Sequence, residues 1–349
     1  MKGTQAMYAY TILFMLSMYP LILVPNSHTY AGFPKYIALA IVAVLILFIQ
    51  LKDLRDNSYN NIYISTSNKL LFLFMILLLL SSIFAFDASS AFAGSYYRKM
   101  GFSTYLYCVV LFMHAQRINY SKNILRGTIL CGTILSIIAI LQNYGIMLLP
   151  FEEFKENWRP FATMGNPNFL ATYVLFILPA SLLQYLATRK PILLYATCLL
   201  YACLLVTVTR GAWLTFLVIL PLILLFYIKK TNCYLGIKQL LLGLILTTLI
   251  LLPSNNWLIF NRALSIPDQV SSSVALEDSG GSSRMFIWKE TIKHIPDNWL
   301  IGIGLDNLQH IRITIGSNSI VDKVHNIYLE ILISCGIFSL LLFLLFLYK

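Results

Sequence analysis

Ten apolar runs divide this chain, and each comes near the length that crosses a bilayer. They cover residues 7–25, 36–51, 69–86, 101–116, 127–149, 168–187, 192–209, 212–228, 239–253 and 326–348. A helical span needs about 20 mostly apolar residues; the second, fourth, eighth and ninth runs are short, so their ends are the least defined. Only 11% of the 349 residues are charged, and 58% are hydrophobic. An ordinary soluble domain is about a quarter charged. The expected fold class is therefore an all-α polytopic membrane protein of about ten transmembrane helices. One large extracytoplasmic loop containing short helices interrupts them.

The first run follows only Lys2 and carries no small-x-small cleavage site, so it reads as a retained span. There is no C-terminal lipidation signal. The six cysteines lie in or near apolar runs without a CxxC pair or a Cys/His ligand set. They read as small hydrophobes and point to no metal.

Lysine and arginine orient the spans. With the N-terminus in the cytoplasm and strict alternation, the inner face receives Lys2, Lys52, Arg55, Lys69, Arg117, Lys122, Arg126, Arg189, Lys190, Lys229, Lys230, Lys238 and Lys349. Those 13 cations are opposed only by Asp53 and Asp56, a net of +11. The outer face takes the other 12 cations and 12 carboxylates, a net of zero. The net charge of the whole chain, +11, thus reports topology and gives no reason to invoke a nucleic-acid partner.

That orientation divides the chain into residues 1–253, with nine spans and short loops, an extracytoplasmic loop over 254–325, and a tenth span over 326–349. The loop holds 13 of the 39 charged residues, with three of the five histidines and three of the five tryptophans. A folded polar excursion of this kind is where a membrane protein does chemistry or binding. Within it, 271–283 reads as flexible. Residues 284–295 form a helix with Arg284, Trp288 and Thr291/Ile292 along one stripe, ended by Pro296-Asp297-Asn298. The apolar stretch from Leu300 to Leu305, with two glycines, is expected to pack back on the surface or the membrane, and 306–314 suggests one more short helix. Gly302-x-Gly304 has Asn307 where a dinucleotide fingerprint needs its third glycine and follows no βαβ pattern, so no nucleotide site is read there.

Three residues stand out for chemistry. Arg210 sits between two spans with almost no loop, at the outer membrane boundary. It reads either as a snorkelling interfacial arginine or as an anion clamp, since a guanidinium where water is scarce binds phosphate bidentately. Arg284 opens the loop helix and is either an exposed surface cation or part of an anion site with the free N–H groups of that helical turn. His325, at the head of the last span, is either a hydrogen-bonded boundary residue or a general base suited to neutral pH. Glu330, one turn deeper, could orient His325, pair with an arginine or line a wet cavity. Asn326 could be simply a helix start. The 150–168 connection brings Arg159 and a Gly-Asn-Pro-Asn turn with Asn166 and Asn168, the latter available as N-cap of the next span. Mid-depth ionisable residues are almost absent from the spans, with His114 the mild exception. That favours surface chemistry on a lipid-borne substrate over ion-coupled transport.

Four stretches occur in order: GNPNFLA (165–171), VTRGAW (208–213), SSRMFIWKETIKHIPDNWLIGIGLDNL (282–308) and VHNIYLEILISCGIF (324–338). Together, over roughly 160–340, they resemble the O-antigen ligase family and its relatives, the O-antigen polymerases and bacterial O-oligosaccharyltransferases. Residues 1–150 agree with that family only in hydropathy and topology.

The resemblance implies a metal-independent glycosyltransferase without a cofactor on the outer face of the cytoplasmic (inner) membrane. Its donor would be a glycan on undecaprenyl diphosphate, and its acceptor a hydroxyl on a glycan, lipid or protein. By position, Arg210 and Arg284 match the family's arginines implicated with the donor diphosphate, and His325 its loop-end histidine. Arg159, Asn166, Asn168, Trp288, Asn326 and Glu330 are expected to contact substrate. Two alternatives remain: a polymerase of lipid-linked repeat units, and a lipid-linked oligosaccharide flippase or other transporter. Family members commonly continue with a further helical hairpin after the position of Leu347, Tyr348 and Lys349.

Overall fold

A computed structural model describes residues 2–25, 29–55, 65–118, 121–148, 158–231, 234–315 and 319–349. The first part of the 150–168 connection, through 157, and Cys233 lie outside the described residues. In chain order the first helices are α1 (Lys2–Ser17), α2 (Gly32–Arg55), α3 (Thr66–Ile83), α4 (Ala88–Ala93), α5 (Phe102–Ala115) and α6 (Lys122–Asn143). There follow α7 (Pro167–Thr188), α8 (Pro191–Val206), α9 (Arg210–Thr231), α10 (Leu235–Leu251) and α11 (Ser254–Leu264). The last are α12 (Ile266–Val274), α13 (Gly280–Lys293), α14 (Ile295–Asn298) and α15 (Ile327–Tyr348).

Every apolar run of the sequence contains a helix. Among the described residues, six are long and apolar enough to cross a membrane, and the bent pair Leu235–Leu251 with Ser254–Val274 would make a seventh. Three more, Ala6–Leu21, Phe102–Ala115 and Pro191–Val206, are apolar but shorter. On α9, Ala212, Trp213 and Phe216 are buried while Leu217, Val218, Leu222, Leu225 and Phe226 are exposed. An apolar face of that extent is covered by lipid in a stable protein, because water would leave it bare. The chain is an all-α, multi-pass membrane protein.

It forms two compact units. One comprises Ala9–Lys35 and Asn119–Ile266. Its core runs through α6, α7, α8, α9 and α10, around Leu135, Leu170, Leu178, Leu182, Leu200, Leu204 and Leu240. Polar pairs lock these helices together: Ser181 with Thr197 at 2.8 Å, Tyr185 donating to Gln239 at 2.9 Å, and Tyr201 with Thr248 at 3.0 Å. Such bonds persist where no water competes for them. The Asn166 side chain caps α7 by accepting from Asn168 N at 2.8 Å. Asn166, rather than the expected Asn168, is the N-cap: Pro167 occupies the first helical position, where its missing N–H is no loss.

The other unit comprises Met1–Tyr8, Tyr36–Ile118 and Pro267–Lys349. Here α3 packs along α15 around Leu71, Phe74, Leu78, Leu305, Ile331 and Cys335. The stretch Leu300 to Leu305 does pack back, and its partner is the backbone of α15. That helix breaks at Gly336, whose φ of +80° and ψ of 176° suit glycine alone. Across the break, Ile303 N donates to Ile333 O at 3.0 Å, Gly304 N to Ser334 O at 2.9 Å and Ile337 N to Trp299 O at 2.8 Å. A Cβ on Gly302 would run into the Ser334 backbone. Those glycines serve close backbone approach.

Three expectations for the loop are corrected. Residues 271–274 complete α12, so only part of 271–283 lacks helix. The 284–295 helix ends at Lys293 with His294 as C-cap, and Pro296 lies within the short α14 that follows. Within 306–314 only a 3-10 turn forms, Leu308–Ile311. A two-stranded antiparallel ribbon then pairs Thr314 with Ile320 and Ile315 with Ser319. Runs of two residues are too short for a period-two pattern to announce them.

Candidate active site

In the first unit, three residues join α8 to α9. Val208 lies in the left-handed region at φ +52°, uncommon for a β-branched residue, and its side chain is buried. Trp213, one turn into α9, donates from Nε1 to Leu204 O at 2.8 Å and so ties the two helices across the turn. Arg210 is therefore the first residue of α9, where helix dipole and free N–H groups favour an anion. Its Nη1 donates to Ser265 Oγ at 3.1 Å.

Arg159 braces the same turn from outside. Nε donates to Thr207 O at 3.0 Å, and Nη2 to Asn168 Oδ1 and Thr209 Oγ1 at 2.9 Å each. Burial, followed by the charges of Arg262 and Arg210, pushes its guanidinium below the ordinary arginine range. This unit thus brings together Arg159, Asn166, Asn168 and Arg210.

Arg284, Trp288, His325, Asn326 and Glu330 all belong to the second unit. Gly281, Ser282 and Ser283 are left-handed, and regular α13 begins at Arg284, which is exposed. Below it, Ile287 and Thr291 are buried, and Trp288 Nε1 donates to Val324 O at 2.9 Å. Trp288 thereby holds the residue next to His325, so its polar edge is engaged by protein.

His325 is itself left-handed, at φ +58°. Its ring is exposed and makes no hydrogen bond with the protein. Loss of hydration to neighbouring atoms, then the Arg284 and Arg98 charges, push its pKa below the ordinary histidine value, against Asp322 and Glu330. That shift favours the neutral imidazole, the form a general base needs.

An ionic network carries this turn. Arg98 grips Asp322 bidentately, Nε to Oδ2 at 2.7 Å and Nη2 to Oδ1 at 2.9 Å. Burial raises the Asp322 carboxyl, but Arg98 outweighs it and holds the group below its usual range. Lys323 lies between two carboxylates, 3.1 Å from Asp306 and 3.0 Å from Glu330. Burial alone would lower Lys323; Glu330 and Asp306 hold its ammonium above the ordinary lysine value. Asp306 Oδ2 also accepts from Ser95 N at 2.6 Å and Met100 N at 3.2 Å.

Glu330 therefore pairs with a lysine, where an arginine was one of the expected partners. Its second oxygen accepts from Val324 N at 2.9 Å, which locks the backbone beside His325. Asn326 is the N-cap of α15, accepting from Tyr328 N at 3.0 Å and Leu329 N at 3.3 Å. Among the described residues, no three His, Cys, Asp or Glu side chains gather into a set that could hold a metal ion.

The chain is thus a multi-pass helical membrane protein that carries, in one unit, Arg210 at a short interhelical turn braced by Arg159 and, in the other, an exposed His325 just before α15. Residues 193–344 match the family model described as O-antigen ligase, a match to somewhat less than half of the chain. No curated protein and no solved structure matches the chain. The family stretch includes Arg210, Arg284, Trp288, His325, Asn326 and Glu330; Arg159, Asn166 and Asn168 precede it. Sequence reasoning missed Arg98, Asp306 and Lys323, whose partners are far away in sequence.

Proposed function

We propose that this protein is a glycosyltransferase that moves a glycan from an undecaprenyl-diphosphate carrier to an acceptor hydroxyl. It would work at the outer face of the cytoplasmic membrane, with ten spans, a cytoplasmic N-terminus and the 254–325 segment outside. The observation that carries the reading is His325, an imidazole without a protein hydrogen bond, lying in the O-antigen ligase stretch and under the field of Arg284.

In this reading His325 accepts the proton of the acceptor hydroxyl as its oxygen bonds to the glycan anomeric carbon. The carbon–oxygen bond to the diphosphate breaks, and the electron pair leaves with undecaprenyl diphosphate. That bond is already activated, so the remaining need is to neutralise charge growing on the leaving group. Arg210 and Arg284 are assigned to that task, each by its own place in the sequence.

The test is transfer from labelled donor by purified protein carrying Arg210→Ala, Arg284→Ala or His325→Ala. Each is expected to lose at least about a hundredfold in rate while expression persists. Full activity in the His325 variant would refute the base assignment.

A further inference from the structure

The connection between α4 and α5 presents two tyrosines that the reaction above does not use. Tyr97 is 72% exposed and Tyr96 52%. Their rings meet edge to face, with centroids 4.9 Å apart and planes at 86°. Among the described residues, Tyr97 has no further ring contact and no side-chain hydrogen bond. The backbone that carries the pair is nevertheless firmly held. Asp306 Oδ2 accepts from Ser95 N at 2.6 Å and from Met100 N at 3.2 Å, so one carboxylate closes the connection at both ends. Between those points Lys99 N donates to Ser95 O at 3.1 Å, and Arg98 grips Asp322 bidentately. A Cβ on Gly94 would run into the backbone of Lys99 and Met100, so the turn is closely packed on itself. The other oxygen of Asp306 holds Lys323, two residues before His325. A nearly buried carboxylate thus fastens the tyrosine turn to the His325 turn, within one unit.

The simpler account is an aromatic belt, since tyrosines gather where lipid headgroups meet water. A belt residue needs only to reach the headgroups. It gives no reason to tie the turn to the segment that carries His325, nor does it explain what stands beside the rings. Arg98 and Asp322 are both partly exposed, and Arg98 Nη1 makes no hydrogen bond with the described residues. Free N–H groups and carboxylate lone pairs therefore remain for outside partners. Arg98 is also close enough to His325 for its charge to bear on the imidazole. An aromatic face next to a planar set of donors and acceptors matches a sugar ring, which shows C–H groups on one face and hydroxyls around its edge. The negative face of a tyrosine ring attracts those weakly positive C–H groups.

We propose that Tyr96 and Tyr97, with Arg98 and Asp322, form a sugar subsite that stacks a neutral pyranose ring of the glycan beside the His325 turn. Tyr97 supplies the open face, Tyr96 fixes its tilt, and Arg98 and Asp322 bond the ring hydroxyls. The choice of ligand rests on reading His325 as the base of glycan transfer. The same chemistry suits the terminal sugar of the acceptor and the first sugar of the donor, and the experiment separates them.

The full chain in phosphatidylcholine nanodiscs is mixed with the methyl glycosides of glucose, galactose, mannose, rhamnose and N-acetylglucosamine, and binding is read by saturation-transfer NMR. Wild type should saturate the ring C–H protons of at least one glycoside. Tyr97→Ala should weaken that binding roughly tenfold with the melting temperature unchanged, and Tyr97→Phe, which keeps the face, should retain it. Tyr97→Leu keeps apolar bulk without the aromatic face; it should lose the signal too, and it covers the case in which the alanine variant does not fold. No signal from any glycoside, or equal signals from wild type and the leucine variant, would overturn the proposal. A lower melting temperature in Tyr97→Ala with glycoside binding intact makes Tyr97 a membrane-interface residue and overturns it as well. In the transfer assay, a raised acceptor KM in Tyr97→Leu assigns the ring to the acceptor, and a raised donor KM assigns it to the donor. Lost glycoside binding with both KM values unchanged would contradict a place beside His325. If His325→Ala transfers normally while glycosides still bind through Tyr97, the base assignment fails and the sugar subsite stands.

Discussion

His325 occupies a backbone conformation that disfavours its side chain, at φ +58°. The left-handed region costs a non-glycine residue roughly 1 kcal/mol or more, and such strain persists where surrounding structure imposes it. Here the imposing contacts are Trp288 on Val324 O and Glu330 on Val324 N. His325→Gly should therefore melt no lower than wild type while transfer is lost; a fall in melting temperature would contradict the strain account. The field on the ring gives a second test. The base must be neutral, so kcat/KM should rise along an acid limb whose midpoint is the His325 pKa, below the ordinary value of about 6.5. Arg98→Met removes one charge that depresses this pKa and leaves the Asp322 carboxylate, which raises it, without its bidentate partner. The limb should move to higher pH, measured as a pH–rate profile; a shift to lower pH would be the wrong sign.

At the scale of elements, the loop is held by Lys323 between Asp306 and Glu330. The Asp306 side chain is 1% exposed and that of Glu330 11%. Lys323→Met would leave two nearly buried carboxylates without their cation, and removing one member of a buried pair costs about 3–5 kcal/mol. A melting temperature close to wild type would show that this network is incidental. The same elements separate what could be read from the sequence and what could not. Helices α3, α7 and α15 were legible because lipid demands long apolar runs, and α13 because Arg284, Trp288 and Thr291/Ile292 share a stripe. Arg210 is a candidate on sequence alone because a charge at a membrane boundary is expensive, Arg284 because it opens a loop helix, and His325 because its side chain titrates near neutral pH. Asp306, Lys323 and Arg98 were not, since Lys323 finds Asp306, and Arg98 finds Asp322, only after the chain folds. Asn168 was misread for a local reason: two asparagines flank Pro167, and only the three-dimensional turn shows which one caps and which one receives Arg159.

For the whole molecule, the distribution of charge favours a reaction at the surface over passage through the bilayer. With ten alternating spans, cations collect in the short connections of one set of loops, and the other set is balanced. The candidate acid–base and anion-binding residues lie at helix ends: Arg210 opens α9, Arg284 opens regular α13, and His325 precedes α15. A transporter would move a lipid-linked glycan intact, whereas a transferase must break its bond to diphosphate. The most direct measurement gives purified protein in liposomes a labelled undecaprenyl-diphosphate glycan together with an acceptor, and follows both label and carrier. Free undecaprenyl diphosphate appearing in step with glycosylated acceptor, and absent with His325→Ala, is the predicted result. Label crossing the bilayer with the donor bond intact would contradict it.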